Sequence, residues 1–187
     1  MKILLITLAS LAQLSVPASM IYQHESTLKN GTAYRFEVRP VDPADPFRGR
    51  YVRLAFEQEL LGGEQRQLPG VELLPPGRQT AYAQLSIDDS GLAKVTSLSV
   101  VKPLYDDFIE VQVGVSSKQL YSLKFPFNRY YANEAKAPSM ETTVRNQRRI
   151  DPTQTVTATV RVKNGRGVIA KLSVGDQSIE DFLLTSP

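Results

Sequence analysis

Two periodicities organise the chain. From Ile3 to Tyr22 no residue is charged, and 14 of these 20 positions are apolar. At about 1.5 Å rise per residue, a helix of that length matches a hydrocarbon core of about 30 Å. A helix buried in a soluble core would carry a polar face, whereas Thr7, Ser10, Gln13, Ser15, Pro17 and Ser19 are scattered. The run reads as an uncleaved single-span anchor, since neutral polar residues cost far less in a membrane than charges do. It reads equally as a signal segment, with Lys2 as the charged start and Val16-Pro17-Ala18 as the small-residue cleavage site. Lys2 on one side and Lys29, Arg35 and Arg39 on the other leave the positive-inside count undecided. A charged start followed at once by an apolar run is how export signals begin. The expectation is a segment 1–22 that meets membrane lipid through residues 3–22, with the body on the periplasmic or extracellular side of the cytoplasmic membrane.

Beyond a short polar stretch, Gln23 to Asn30, the period becomes two. Tyr34, Phe36 and Val38 alternate with Arg35, Glu37 and Arg39, the pattern of a half-buried strand. Pro40, Pro43 and Pro46 then keep the backbone irregular. A second alternation places Val52, Leu54 and Phe56 inward, and residues 61–79, rich in Gly and Pro, read as a long surface loop. Two hairpins follow. Ala81, Ala83, Leu85 and Ile87 run into Asp88-Asp89-Ser90-Gly91 and return through Val95; Val156, Ala158, Val160 and Val162 run into Asn164-Gly165 and return through Val168 to Val174. Asn-Gly supplies the positive φ angles of a tight hairpin turn. Between them lie a strand from Ile109 to Val115 and a shorter one from Leu120 to Phe125, and Gly175-Asp176 leads into a last short strand. Only Ser139 to Asn146, after Pro138, suggests a helix.

The expected fold is mostly β: antiparallel sheets, sandwich or barrel-like, behind one N-terminal transmembrane helix. Residues 23–187 would form the extracytoplasmic domain. Because the two hairpins look alike, two similar small β subdomains divided near 103–107 remain an alternative.

Composition removes whole classes of chemistry. The 187 residues are 42% hydrophobic, enough for a real core, and include no Cys. That excludes thiol nucleophiles, disulfides, iron–sulfur centres and Cys-containing zinc sites. A single histidine, His24, excludes paired-His metal sites, and a formal charge of +3 carries no footprint for nucleic acid. No cofactor, no metal and no nucleic-acid partner is expected.

The most unusual segment runs from Pro40 to Phe56, through Asp42-Pro43-Ala44-Asp45-Pro46-Phe47-Arg48-Gly49-Arg50-Tyr51-Val52-Arg53-Leu54. A second is Asn128-Arg129-Tyr130-Tyr131-Ala132-Asn133-Glu134, with Glu141 following. Together with the Leu14-x-Val16-Pro17 end of the apolar run, these resemble the GDYXXLXY family of bacterial membrane-anchored proteins. Gly49, Tyr51 and Leu54 match its signature; Arg50 stands in place of the Asp and Phe56 in place of the last Tyr. The resemblance implies a single anchor, an extracytoplasmic β domain and often a polytopic membrane protein as neighbour. It implies no established activity, and Arg50 removes any role for a carboxylate at that position.

The same residues have plainer readings. Asp42 and Asp45, each followed by Pro, suit Asx bonds in a rigid turn, or a hard-cation site completed by Glu134 or Glu141. Arg35, Arg39, Arg48, Arg50 and Arg53 suit a carboxylate or phosphate clamp, or ion pairs with the equally local Asp42, Asp45, Glu37 and Glu57. Enzyme readings are poor. No Gly-x-Ser-x-Gly occurs and His24 lies beside the anchor, so a Ser-His-Asp triad is hard to build.

The candidate ligand- or partner-binding residues are therefore Asp42, Asp45, Arg48, Gly49, Arg50, Tyr51, Arg53, Arg129, Tyr130, Glu134 and Glu141. The two motifs are expected to meet in space, with Glu134 or Glu141 pairing with Arg48, Arg50 or Arg53. The function this favours is an anchored accessory or binding module that partners an integral membrane protein. A carboxylate-dependent hydrolase acting on cell-envelope material, or an exported soluble protein cleaved near Ala18, are the alternatives.

Overall fold

The computed structural model describes residues 2–39, 51–59, 68–105, 107–116, 121–132, 137–151 and 154–185. Its strands are β1 (Thr32–Arg39), β2 (Tyr51–Arg53), β3 (Ala55–Phe56), β4 (Gly77–Ile87), β5 (Ala93–Ser99), β6 (Phe108–Val115), β7 (Tyr121–Lys124), β8 (Arg129–Tyr131), β9 (Val156–Lys163), β10 (Arg166–Val174) and β11 (Gln177–Ser178). Its helices are α1 (Lys2–Asn30), α2 (Ala137–Ile150) and α3 (Ile179–Thr185). The fold is mostly β, and every strand ladder is antiparallel.

A five-stranded sheet has the order β11-β10-β9-β1-β3, a four-stranded sheet the order β5-β4-β6-β7, and β2 and β8 form a separate ribbon. Both expected hairpins form, but in different sheets. The β9–β10 turn carries Asn164 at φ 52° and Gly165 at φ 81°, the left-handed conformations a two-residue turn requires. A parallel bridge, with the Glu110 N–H donating to the Gly165 carbonyl at 2.8 Å, stitches this turn to β6. Side chains from both sheets enter one apolar core.

At the centre of that core sit Phe36, Phe56, Phe125 and Phe127, each nearly or fully buried. Phe56 meets Phe36, Phe125 and Phe127 edge-on at 5.7, 5.7 and 5.2 Å, and Phe125 stacks on Phe127 at 5.1 Å. Val52 and Leu54 are buried with Phe56, so the expected alternation holds through the first motif. Beneath it Glu59 clamps two strands: its carboxylate accepts from the Phe56 N–H at 3.2 Å and the Phe125 N–H at 2.9 Å.

The structure corrects three sequence readings. The polar stretch Gln23 to Asn30, given no element from the sequence, is the last part of α1. Part of the expected 61–79 loop is regular, with a 3₁₀ turn at Val71–Leu73 and β4 already begun at Gly77. The last short strand, β11, passes at once into α3, which the sequence reading missed. The helix expected at 139–146 is α2, with Met140 and Val144 buried. Among the described residues no helix is long and apolar enough to cross a membrane.

Replacing Phe56 with Ala is expected to cost about 3–5 kcal/mol, the range for a buried aromatic deleted from a packed core, read from urea unfolding. Glu59→Gln leaves one acceptor for two buried N–H groups and is expected to cost about 1–3 kcal/mol. Burial, outweighing those two hydrogen bonds, raises the Glu59 carboxyl above the usual glutamate range. The native state therefore binds this proton more tightly than the unfolded chain, and stability is lost as pH rises through the raised value. Urea midpoints across mildly acid pH should show that slope flattened in Glu59→Gln.

Candidate functional site

The two motifs meet as the β2–β8 ribbon: Tyr51 lies opposite Tyr131, Val52 opposite Tyr130 and Arg53 opposite Arg129. The Leu54 N–H continues the ladder by donating to the Asn128 carbonyl at 2.9 Å. Opposed residues of an antiparallel pair share a face. Val52 and Tyr130 form the inner one, Val52 buried and Tyr130 half-buried, while Tyr51, Arg53, Arg129 and Tyr131 form the outer one. There the Arg129 guanidinium stands over the Tyr51 ring, 5.0 Å from its centroid, and the Tyr51 and Tyr131 rings meet edge to face at 6.2 Å. Tyr131 is 71% exposed. Among the described residues neither Arg53 nor Arg129 has a carboxylate partner.

On the inner face the Tyr130 hydroxyl donates to Glu180 of α3 at 2.7 Å. Burial first, then that bond and the charge of Glu180, hold the phenol well above the usual tyrosine range. Helix α2 packs against β2 and α3 from the other side.

Beside the ribbon runs a groove of about 620 Å³, walled by His24 and Leu28 of α1, by Phe127 to Tyr131, and by Gly167 to Ala170 of β10. A second groove of about 410 Å³ continues past His24 toward Met20, Glu110 and Arg166. The roof is fixed by polar contacts at the C-terminal end of α1. Lys163 donates to the Ser26 hydroxyl at 3.0 Å, Arg161 donates to the Gly31 carbonyl at 3.1 Å, and Thr27 is buried against the sheet. Cations suit that end of the helix. The wall needs Gly167, because a Cβ there would lie 2.5 Å from the Phe127 ring.

Of the expected site residues, Tyr51, Arg53, Arg129 and Tyr130 come together in the ribbon. Asp42, Asp45, Arg48, Gly49, Arg50 and Glu134 lie outside the described residues, and so does the turn in which Asp42 and Asp45 were expected to bond. Glu141 sits on α2, but its side chain is outside the description, so the expected Glu–Arg pairing falls there too. The local ion pairing expected of the arginines occurs at Arg39, 3.0 Å from Glu57; Arg35 instead reaches Asp176 at 4.0 Å. Among the described residues no three His, Asp or Glu side chains gather closely enough to hold a metal ion.

His24, Tyr131 and Glu180 were not among the candidates. For His24 the overlooked signal is Lys29-Asn30-Gly31, a cation and then Gly, which ends a helix rather than opening a strand. For Glu180 it is Ser178-x-x-Asp181, whose hydroxyl accepts from the Asp181 N–H at 3.1 Å and caps α3.

A family model described as GDYXXLXY protein matches residues 13–172. The chain belongs to the GDYXXLXY family. No curated protein and no solved structure matches it. The match takes in both halves of the ribbon, so in this GDYXXLXY protein the two motifs are one structural unit. Its Phe56, in the place of the signature's last Tyr, is fully enclosed by other phenylalanines.

Tyr130→Phe removes the link between the ribbon and α3. It is expected to cost about 1.5–3 kcal/mol in urea unfolding, as for a hydrogen bond to a charged group. The native state keeps this phenol protonated above the usual tyrosine range, so stability falls as pH rises past that range. The alkaline fall should be shallower in the variant.

Proposed function

We propose that the protein is a membrane-anchored extracytoplasmic binding or accessory module. Its partner is an integral membrane protein, met beside the root of α1. The observation that carries this reading is the division of α1. Its last two turns dock on β9 and β10, whereas Leu8, Leu11, Leu14, Val16, Met20, Ile21 and Tyr22 stand 59–74% exposed. At 100° per residue these side chains point all round the helix, which leaves no polar face for water. An apolar surface of that extent has to be covered, and a bilayer covers every side at once. An anchored domain then meets a membrane-resident partner at high effective concentration. The grooves beside His24 lie where such a partner would reach the body.

Full-length protein should remain with membranes after an alkaline carbonate wash, with Met1 or Lys2 still at its N-terminus. Introducing charge through Leu11→Asp and Leu14→Asp, each costing about 2.5–3.5 kcal/mol at a helix centre on insertion scales, should move it to the soluble fraction. A mature soluble protein beginning at Ser19 would replace the anchor with a cleaved signal segment. Cross-linking from a probe at His24 should capture an integral membrane protein, and capture of soluble proteins alone would remove the partner assignment.

A further inference from the structure

The outer face of the ribbon has no task in the core. Two tyrosines and two arginines stand there together, Tyr131 largely in solvent and Arg129 backed by the Tyr51 ring. Its position relative to α1 is fixed: Arg129, Tyr130 and Tyr131 wall the same groove as His24 and Leu28. His24 comes only about 3 Å along the helix axis after Tyr22, where the exposed apolar run ends. The ribbon is thus level with the end of the segment proposed above to enter lipid. Tyrosine is enriched at that depth of a bilayer, and arginine binds phosphate through its planar fork while tolerating partial dehydration on an aromatic ring. Among the described residues no carboxylate lines the groove between helix and ribbon, and Glu180 is engaged on the inner face by Tyr130.

From this we infer that the outer face of the β2–β8 ribbon docks on an anionic lipid surface, with Arg53 and Arg129 at the phosphates and Tyr51 and Tyr131 in the headgroup layer. The inference rests on the membrane reading of α1 and deepens it. It also sets the posture of the body, laying the grooves beside His24 along the membrane plane rather than away from it.

The chain has no Cys, so Ala170→Cys gives a single thiol, on an exposed residue of the groove wall, without touching the ribbon. Full-length protein labelled there would be incorporated into phosphatidylcholine vesicles with or without phosphatidylglycerol, each carrying a headgroup-attached quencher. Quenching should be strong with phosphatidylglycerol, weak without it, and relieved by salt. Arg53→Gln and Arg129→Gln should each lower the equilibrium constant for docking about fivefold, the usual worth of one basic side chain near an anionic surface. Both positions are exposed, and an unchanged melting profile would separate this loss from misfolding. Protein that floats with vesicles while its label stays unquenched, or is quenched equally without phosphatidylglycerol, overturns the docking and leaves the anchor standing. Protein that does not float overturns both.

Discussion

The burial of Phe56 is the constraint on which the rest of the arrangement depends. Its ring needs three partners from two directions: Phe36 from the five-stranded sheet, and Phe125 and Phe127 from the chain leaving the four-stranded one. Because a strand alternates with period two, fixing Phe56 inward also fixes Leu54 and Val52 inward, and it turns Arg53 and Tyr51 outward. The strand cannot serve one sheet along its whole length. Ala55 and Phe56 pair with β1, whereas Tyr51 to Arg53 pair with β8, and Leu54 carries the chain between the two. A packing requirement at one residue therefore sets the chemistry of the surface ribbon five residues away.

Glu59 makes this arrangement polar where it has to be. The β3 and β7 ends bring the Phe56 and Phe125 N–H groups together, and one carboxylate takes both. Burying a carboxylate is costly, and the raised affinity of Glu59 for its proton reflects that cost. Leaving both donors unpaired in the same place would cost more. Glu59 thus has a structural duty, whereas Arg53 and Arg129, among the described residues, face solvent without a carboxylate partner.

How much of this could be read from the sequence depended on whether a feature is local. The Tyr34–Phe36–Val38 and Val52–Leu54–Phe56 alternations and the Asn164-Gly165 turn each depend on a few neighbouring residues, and all appear where expected. That the first motif meets the second followed from a general argument: irregular backbone in a β domain must find hydrogen-bond partners elsewhere. The register, Tyr51 against Tyr131, depends on the phenylalanine cluster and was not legible. Nor was the length of α1. Gln23 to Asn30 departs in composition from the apolar run before it, and its docking through Ser26, Thr27 and Gly31 onto β9 makes it the root of the same helix. His24 was set aside as a lone histidine beside the anchor, which builds neither a triad nor a paired-His metal site.

That root has a mechanical consequence. Lys163 and Arg161 of β9 pin the C-terminal end of α1, so that end has a set place above the groove. Groove and ribbon then share walls with the end of α1. Gly167 belongs to the same unit, because it lets Phe127 lie against β10 and so ties the groove wall to the phenylalanine cluster. The chain of contacts runs without a break from Phe56 through Phe127 and β10 to the end of α1. This physical continuity is the ground for treating groove and ribbon as one site.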